Sequence, residues 1–218
     1  MPLNNETICS ANEHEKKMFF ENKVFHVLPG VYEPAEDTFL LAENLEVESD
    51  DIVLEIGVGC GILSILSALK ASRVVSLDVN PYAVRCAKLN ARNNDVSEKI
   101  DIIRGDLFGP LKENEVFDLI IFNAPYLPTE ENELKDWIDY AWAGGKKGRE
   151  LIDRFISSAY KYLRASGRIL LVQSTLSDVD ETMKKLKKQD FNIKTIKERK
   201  VAFETITLIE ATKRPKGN

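Results

Sequence analysis

Ile52-Val53-Leu54-Glu55-Ile56-Gly57-Val58-Gly59-Cys60-Gly61, running on into Ile62-Leu63-Ser64-Ile65-Leu66-Ser67-Ala68-Leu69, is the stretch that decides the fold. Its first five residues form a β-branched run. After the glycines, Ile62, Ile65, Leu66 and Leu69 stand at i, i+3, i+4 and i+7, the period of a helix face. The order is strand, glycine turn, helix, the context that lifts a glycine motif above chance. Glycines let the chain turn tightly and let a ligand approach without a Cβ in the way, and the helix start offers free N–H groups. The spacing is GxGxG, where a dinucleotide loop has GxGxxG. Glu55 just before it would repel a pyrophosphate and suits the ammonium of a zwitterionic amino-acid ligand.

Downstream, three more strands end in chemistry. Val74-Val75-Ser76-Leu77-Asp78 places an acid about 20 residues beyond the glycine turn, the separation at which a carboxylate reaches the two ribose hydroxyls of a nucleoside. Asn80-Pro81 then supplies an N-cap and a first-turn proline for the helix from Tyr82 to Asn93. Ile100-Asp101-Ile102-Ile103-Arg104 is followed by Gly105-Asp106-Leu107-Phe108, where Asp106 offers an acceptor for an adenine amine and Leu107 an apolar wall. Phe117 to Phe122 is apolar enough for a sheet covered on both faces, and it ends at Asn123-Ala124-Pro125-Tyr126. Read alone, this tetrapeptide is a turn as readily as a site. Its position at a strand's carboxyl end, where open α/β sheets bind ligands, favours the site. Pro125 biases Ala124 to an extended conformation. The Asn123 side-chain carbonyl and the Ala124 main-chain carbonyl then project the same way and accept both hydrogens of a planar –NH2 group. Such an amine is a poor nucleophile and must be positioned by its catalyst. Tyr126 supplies an aromatic face to pack on it.

Upstream, Tyr32-Glu33-Pro34-Ala35-Glu36-Asp37-Thr38 leads into an amphipathic helix over Phe39–Leu45. Glu36, Asp37 and Thr38 serve equally as dipole-matching residues at its start or as a pocket rim. Residues 1–30 read as a mostly polar lead-in with one strand, Val24 to Leu28, and neither His14 nor His26 carries a role. Beyond the tetrapeptide, residues 127–148 form a long connection whose Trp137, Tyr140 and Trp142 suit a wall beside the site. A helix from Arg149 to Leu163, a strand from Arg168 to Gln173 and a helix from Ser177 to Gln189 follow. Strands Phe191–Glu198 and Phe203–Ala211 are set to pair as an antiparallel hairpin, and residues 213–218 form a frayed tail.

The chain has 218 residues, 44% hydrophobic and 30% charged, the composition of one soluble globular domain. No apolar run is long enough for a membrane span, and the polar N-terminus lacks a signal-peptide pattern, so a cytoplasmic protein is expected. A net charge of −5 disfavours duplex DNA as a partner. Cys9, Cys60 and Cys86 are scattered, without CxxC spacing, and are expected to be reduced thiols and not metal ligands.

Glu-x-Gly-x-Gly-x-Gly, an acid ending the next strand, Asp-Leu after the third and Asn-x-Pro-Tyr after the fourth together resemble class I S-adenosylmethionine-dependent methyltransferases. Tyr32 to Leu41 and Trp142-Ala143-Gly144-Gly145 resemble, more narrowly, the HemK-type glutamine methyltransferases of archaea and eukaryotes. The resemblance implies one α/β domain over residues 31–212, a Rossmann-like seven-stranded mixed sheet in the order 3-2-1-4-5-7-6, with helices on both faces. It implies methyl transfer from S-adenosylmethionine, leaving S-adenosylhomocysteine, to the glutamine amide of the Gly-Gly-Gln loop of a class I translation termination factor. Donor binding would fall to Glu55, Gly57, Gly59, Asp78, Asp106 and Leu107, with Thr38 near the methionine end and Asn123 beside it. Glutamine binding would fall to Asn123, Ala124, Pro125 and Tyr126. Ala124 stands where the family pattern has a proline, which keeps the main-chain carbonyl but leaves the loop less rigid. Relatives of this short type pair with a small zinc-ribbon activator, for which the edge strand Ile100–Arg104 is open to β-augmentation. The alternative reading is an adenine N6-methyltransferase acting on nucleic acid. A nicotinamide oxidoreductase would share the glycine loop and Asp78 but leaves Asn123–Tyr126 unexplained.

Overall fold

The structure, a computed structural model, describes residues 16–112 and 116–214. His14, Cys9 and residues 215–218 of the expected tail lie outside the described residues. Nine strands form two sheets among the described residues. The larger contains β3 (Ile52–Ile56), β4 (Arg73–Asp78), β5 (Ile100–Arg104), β6 (Phe117–Asn123), β7 (Leu163–Ser174), β8 (Phe191–Lys200) and β9 (Thr205–Lys213). Across this sheet the order is β5-β4-β3-β6-β7-β9-β8. Counted from β3 as the first, that is the expected 3-2-1-4-5-7-6. All pairs are parallel except the two that β9 makes with β7 and β8, so the sheet is mixed as expected.

The central strands explain themselves from their residues. Val53 and Leu54 of β3 and Leu119, Ile120 and Ile121 of β6 are fully buried, because helices cover both faces of the sheet. Helices α1 (Glu36–Ala42), α2 (Ile62–Ala68) and α3 (Pro81–Asn93) pack into one apolar layer, and α4 (Glu150–Ala159) and α5 (Val179–Lys188) into the other. Asn80 caps α3 as its sequence foretold, accepting from the Tyr82 N–H at 2.9 Å.

Several boundaries differ from the sequence reading: α1 covers Glu36–Ala42 where a helix over Phe39–Leu45 was expected, and β9 begins at Thr205 and not at Phe203. The helix expected to reach Leu163 stops at Ala159 and passes through a 3-10 turn, Tyr160–Tyr162, into β7. Leu163 is drawn into the sheet by pairing with the buried Phe117, a contact its local pattern does not encode. Lys213, expected in the tail, is the last residue of β9 and pairs with Phe191. Before Val24 the chain forms an unforeseen strand, β1 (Lys16–Phe20), paired antiparallel with β2 (Lys23–Val27) through Glu21 and Asn22, both at positive φ. Its exposed Phe19 hides the alternation. Phe25 and Val27 of this hairpin enter the α1–α3 layer. There the fully buried Asn90 of α3 accepts from the His26 N–H at 2.8 Å and donates to the His26 carbonyl at 2.7 Å. It also donates to the Cys60 carbonyl of the glycine turn at 2.8 Å.

Candidate active site

The carboxyl ends of β3 to β6 open into one cavity of about 270 Å³. At its floor the glycine turn is tied to the next strand, since the Gly57 and Val58 N–H groups both donate to the Leu77 carbonyl, at 2.8 and 3.0 Å. Gly57 and Gly59 lie at φ 78° and 53°, in the region that favours glycine. A Cβ built on Gly59 meets no protein atom within 4 Å, so the turn presents bare backbone to open space, as a closely held ligand requires. Asp78 clamps this turn. Its carboxylate accepts from the Gly59 N–H at 3.0 Å and the Asn80 N–H at 2.9 Å, and each oxygen retains lone-pair capacity for a further donor. Burial raises the Asp78 acid above its ordinary range, and those two N–H groups oppose the rise.

Glu55 is the most sequestered acid of the site, only 2% exposed. The Ser64 hydroxyl of α2 donates to its Oε2, and Ser76 of β4 adjoins Ser64. Burial pushes the Glu55 carboxyl up to about 8, the Ser64 hydrogen bond draws it back, and nearby Asp78 adds to the rise. A carboxylate so placed calls for a cation at the cavity floor.

Asn123 closes β6. Its Nδ2 donates to Thr38 Oγ1 of α1 at 3.2 Å, while its Oδ1 is buried and, among the described residues, has no hydrogen-bond partner. Thr38 is itself held by Asp37, which accepts from the Thr38 N–H at 2.6 Å and the Thr38 hydroxyl at 3.1 Å. The Tyr32 hydroxyl donates to the same carboxylate, at 3.2 Å to each oxygen. Ala124, 3% exposed, donates its N–H to the Val172 carbonyl of β7 at 3.3 Å. A proline there could not make this bond, so pairing with β7 holds the position that a ring holds in the family pattern. Tyr126 lies half-buried on the cavity wall, and burial, with Asp37 nearby, raises its phenol above the ordinary range.

The connection 127–148 is packed against this tetrapeptide. Leu127 donates to the Trp142 carbonyl at 2.9 Å and accepts from the Gly144 N–H at 2.8 Å, which makes a bridge between Leu127 and Ala143. Gly148, at φ 65°, lies directly under the Tyr126 carbonyl, where a Cβ would collide with it. Trp137, Tyr140 and Trp142 line the cavity, as their composition suggested.

The cavity brings together the residues expected to hold the donor and the amide: Thr38, Glu55, Gly57 and Gly59 of the glycine turn, Asp78, Asp106 with Leu107, and Asn123 to Tyr126. Asp106 departs from expectation in its surroundings, being exposed and paired with Arg154 of α4 at 2.6 Å. Of the three residues at the start of α1, Asp37 and Thr38 line the cavity, whereas Glu36 turns to Arg199 of β8 at 2.8 Å. The sequence reading missed the site positions of Tyr32 and Glu204. Tyr32 stood in a quoted motif without a partner to assign. Glu204 comes from the link between β8 and β9, and its Oε2 is buried with no partner among the described residues. No local signal marks it, because the return of β9 beside β7 is what carries it to the cavity.

A seven-stranded sheet in this order, with a glycine turn after its first strand and an acid ending its second, is the fold of class I S-adenosylmethionine-dependent methyltransferases. The methyltransferase small domain matches residues 22–138. A Methanocaldococcus jannaschii protein named as a protein N5-glutamine methyltransferase is 45% identical over 84% of this chain and 92% of its own length. Human methyltransferase HEMK2 is 34% identical over 84% of this chain and 90% of its own. In structure, E. cuniculi Mtq2, solved with Trm112 as the complex responsible for methylation of the eRF1 translation termination factor, superposes with a TM-score of 0.62. It is 26% identical, over 84% of this chain and 99% of the other. The chain belongs to the methyltransferase small domain family, in its HemK-type branch.

Proposed function

We propose that this protein methylates the side-chain amide nitrogen of the glutamine in the Gly-Gly-Gln loop of a translation termination factor, using S-adenosylmethionine. The observation that carries this reading is Asn123 Oδ1, a buried acceptor with no partner among the described residues, on a residue that ends β6 and lines the cavity. A buried carbonyl left without a donor costs about 1–3 kcal/mol, which a ligand N–H group would recover. The M. jannaschii relative, named for glutamine N5 methylation, and the eRF1-methylating E. cuniculi complex support the same acceptor.

The residues present fit the donor. Bound in the cavity, S-adenosylmethionine supplies an electrophilic methyl group on a sulfonium. Glu55 would meet its ammonium, the bare backbone of Gly57 and Gly59 would allow close approach, and Asp78 would accept from the ribose hydroxyls. Asp106 and Leu107 take the adenine, and Thr38 stands toward the methionine end, beside Asn123. On the acceptor, Asn123 Oδ1 and the Ala124 carbonyl each take one amide hydrogen, which fixes the nitrogen for in-line attack. Tyr126 packs on the amide plane, and Pro125 keeps the two carbonyls aligned. No strong base is required, because the nitrogen loses its proton readily once it carries the methyl. Among the described residues that line the cavity there is no histidine or lysine, and burial holds the Cys60 thiol up to about 12.

A small zinc-ribbon activator is proposed to add to the β5 edge, Ile100–Arg104; the E. cuniculi enzyme, solved in complex with Trm112, supports the need for a partner. The Arg104 guanidinium lies over the Trp137 ring at 5.3 Å, which links that edge to the cavity wall. A cytoplasmic site of action accords with this substrate. Labelled-methyl transfer from S-adenosylmethionine to termination factor, with and without such a partner, tests the reading. Label on the factor that is lost when its loop glutamine is substituted is the expected result. Label on DNA in preference to the factor would overturn it in favour of the adenine reading, against which the net charge of −5 weighs.

A further inference from the structure

Which face Asn123 turns to the cavity is set two residues away from it. An amide offers a carbonyl on one side and an NH2 on the other, and only the carbonyl can receive the acceptor's N–H. In Asn123 the NH2 is spent on Thr38 Oγ1, at 3.2 Å, and Oδ1 is left without a protein partner among the described residues. A hydroxyl could hold either end of that amide, donating to Oδ1 or accepting from Nδ2. Thr38 has one hydroxyl proton, and Asp37 Oδ1 takes it at 3.1 Å. A carboxylate has nothing to donate in return, so the Thr38 oxygen is left only as an acceptor. Asp37 in turn is fixed by the Thr38 main-chain N–H at 2.6 Å and by the Tyr32 hydroxyl, and is 6% exposed.

Resting on the proposed amide acceptor, we infer that Asp37 is a positioning residue that, through the Thr38 hydroxyl, locks the Asn123 amide with its carbonyl toward the substrate. The direction of every hydrogen bond in the chain Tyr32, Asp37, Thr38, Asn123 follows from its one compulsory acceptor. Removing Asp37 frees the Thr38 proton, which can then donate to Asn123 Oδ1, and the amide turns its NH2 to the cavity. The turned site repels the hydrogens of a glutamine amide and accepts the oxygens of a glutamate. Selectivity for an amide over a carboxylate therefore depends on a residue that acts through the Thr38 hydroxyl and the Asn123 amide.

The test compares the termination factor with its glutamine-to-glutamate variant, as substrate and as competitor, on the enzyme with its partner. Asp37→Ala is expected to lower kcat about 100-fold, the scale of a misplaced reacting group, while the Kd for S-adenosylmethionine by calorimetry stays within about threefold. The decisive readout is preference. The unmodified enzyme binds the glutamine factor at least about tenfold more tightly than the glutamate factor, and Asp37→Ala erases or inverts that ratio. Should Asp37→Ala fail to fold, Thr38→Val is expected to lose the same preference for glutamine, and Thr38→Ser, which restores the hydroxyl, recovers the preference that valine loses. A preference for glutamine that survives in Asp37→Ala or Thr38→Val, however slow the turnover, overturns the inference. Failure of the unmodified enzyme to methylate the factor removes the amide acceptor and the inference with it. Methylation with an unchanged preference in the variants removes the inference alone.

Discussion

At the scale of single residues, the site is built from groups whose hydrogen-bonding capacity the protein leaves incomplete. Asn123 is the clearest, with one end of its amide held by Thr38 and the other buried without a partner among the described residues. Asn123→Ala is expected to lower turnover at least about 100-fold. Its affinity for S-adenosylmethionine, measured by calorimetry, should change no more than a few-fold, since the donor's amino acid and ribose ends are held elsewhere. Glu55 makes a second prediction. With its carboxyl pushed up to about 8 by burial, it is mostly protonated at pH 7 in the free enzyme. A bound ammonium favours its ionised form, so donor binding at pH 7 should release a proton. Calorimetry in buffers of different ionisation enthalpy reads that proton directly, and Glu55→Gln should abolish the release. Uptake of a proton, or none in the unmodified enzyme, would remove the assigned role. Ala124 adds a smaller lesson: a residue that looks like a loss of rigidity in the sequence gains a hydrogen bond to Val172 that proline forgoes.

At the scale of elements, the site is held by segments that the sequence places far apart. The connection 127–148 clasps the tetrapeptide through Leu127, Trp142 and Gly144, and leaves no room under the Tyr126 carbonyl for any side chain at 148. Gly148→Ala combines that collision with a positive φ that costs an alanine about 1 kcal/mol or more. It is expected to displace Tyr126 and cut kcat about tenfold or more, while donor affinity changes little, because Gly57, Gly59 and Asp78 lie on other elements. The hairpin β1–β2 is secured in a comparable way by Asn90, whose buried amide joins it to α3 and to the glycine turn. Asn90→Ala removes this partner from the buried Cys60 carbonyl and from two part-buried His26 backbone groups, and should cost about 2 kcal/mol in chemical denaturation. A loss below about 1 kcal/mol would mean that water or a local shift replaces the side chain.

At the scale of the whole molecule, two buried acids with raised pKa values make the free enzyme's stability depend on pH. Glu55 and Asp78 both bind protons more tightly folded than unfolded, so the folded state gains most at low pH. Their contribution is fully present below the ordinary carboxylate pKa and is lost as pH rises toward about 8, the folded value for Glu55. The Tm of the free enzyme, followed by calorimetry, should therefore fall between about pH 5 and pH 8. Glu55→Gln should flatten part of that slope and leave the part due to Asp78. A flat profile in the unmodified enzyme would contradict the burial seen here. Much of this molecule was legible beforehand. Apolar runs bounded by Gly57, Asp78, Asp106 and Asn123 name the strands and the end at which they bind, because side-chain period and glycine geometry are local properties of a chain. Other features were not legible. Leu163 joins a strand because Phe117 is its neighbour, and Glu204 reaches the cavity because β9 returns beside β7. The sequence by itself determined which residues would meet at the carboxyl ends of β3 to β6. Only the tertiary structure decided how Asn123 is oriented, because that direction rests on the hydrogen bond that the Thr38 hydroxyl donates to Asp37, and the contact of Thr38 with Asn123 arises only when α1 packs beside β6.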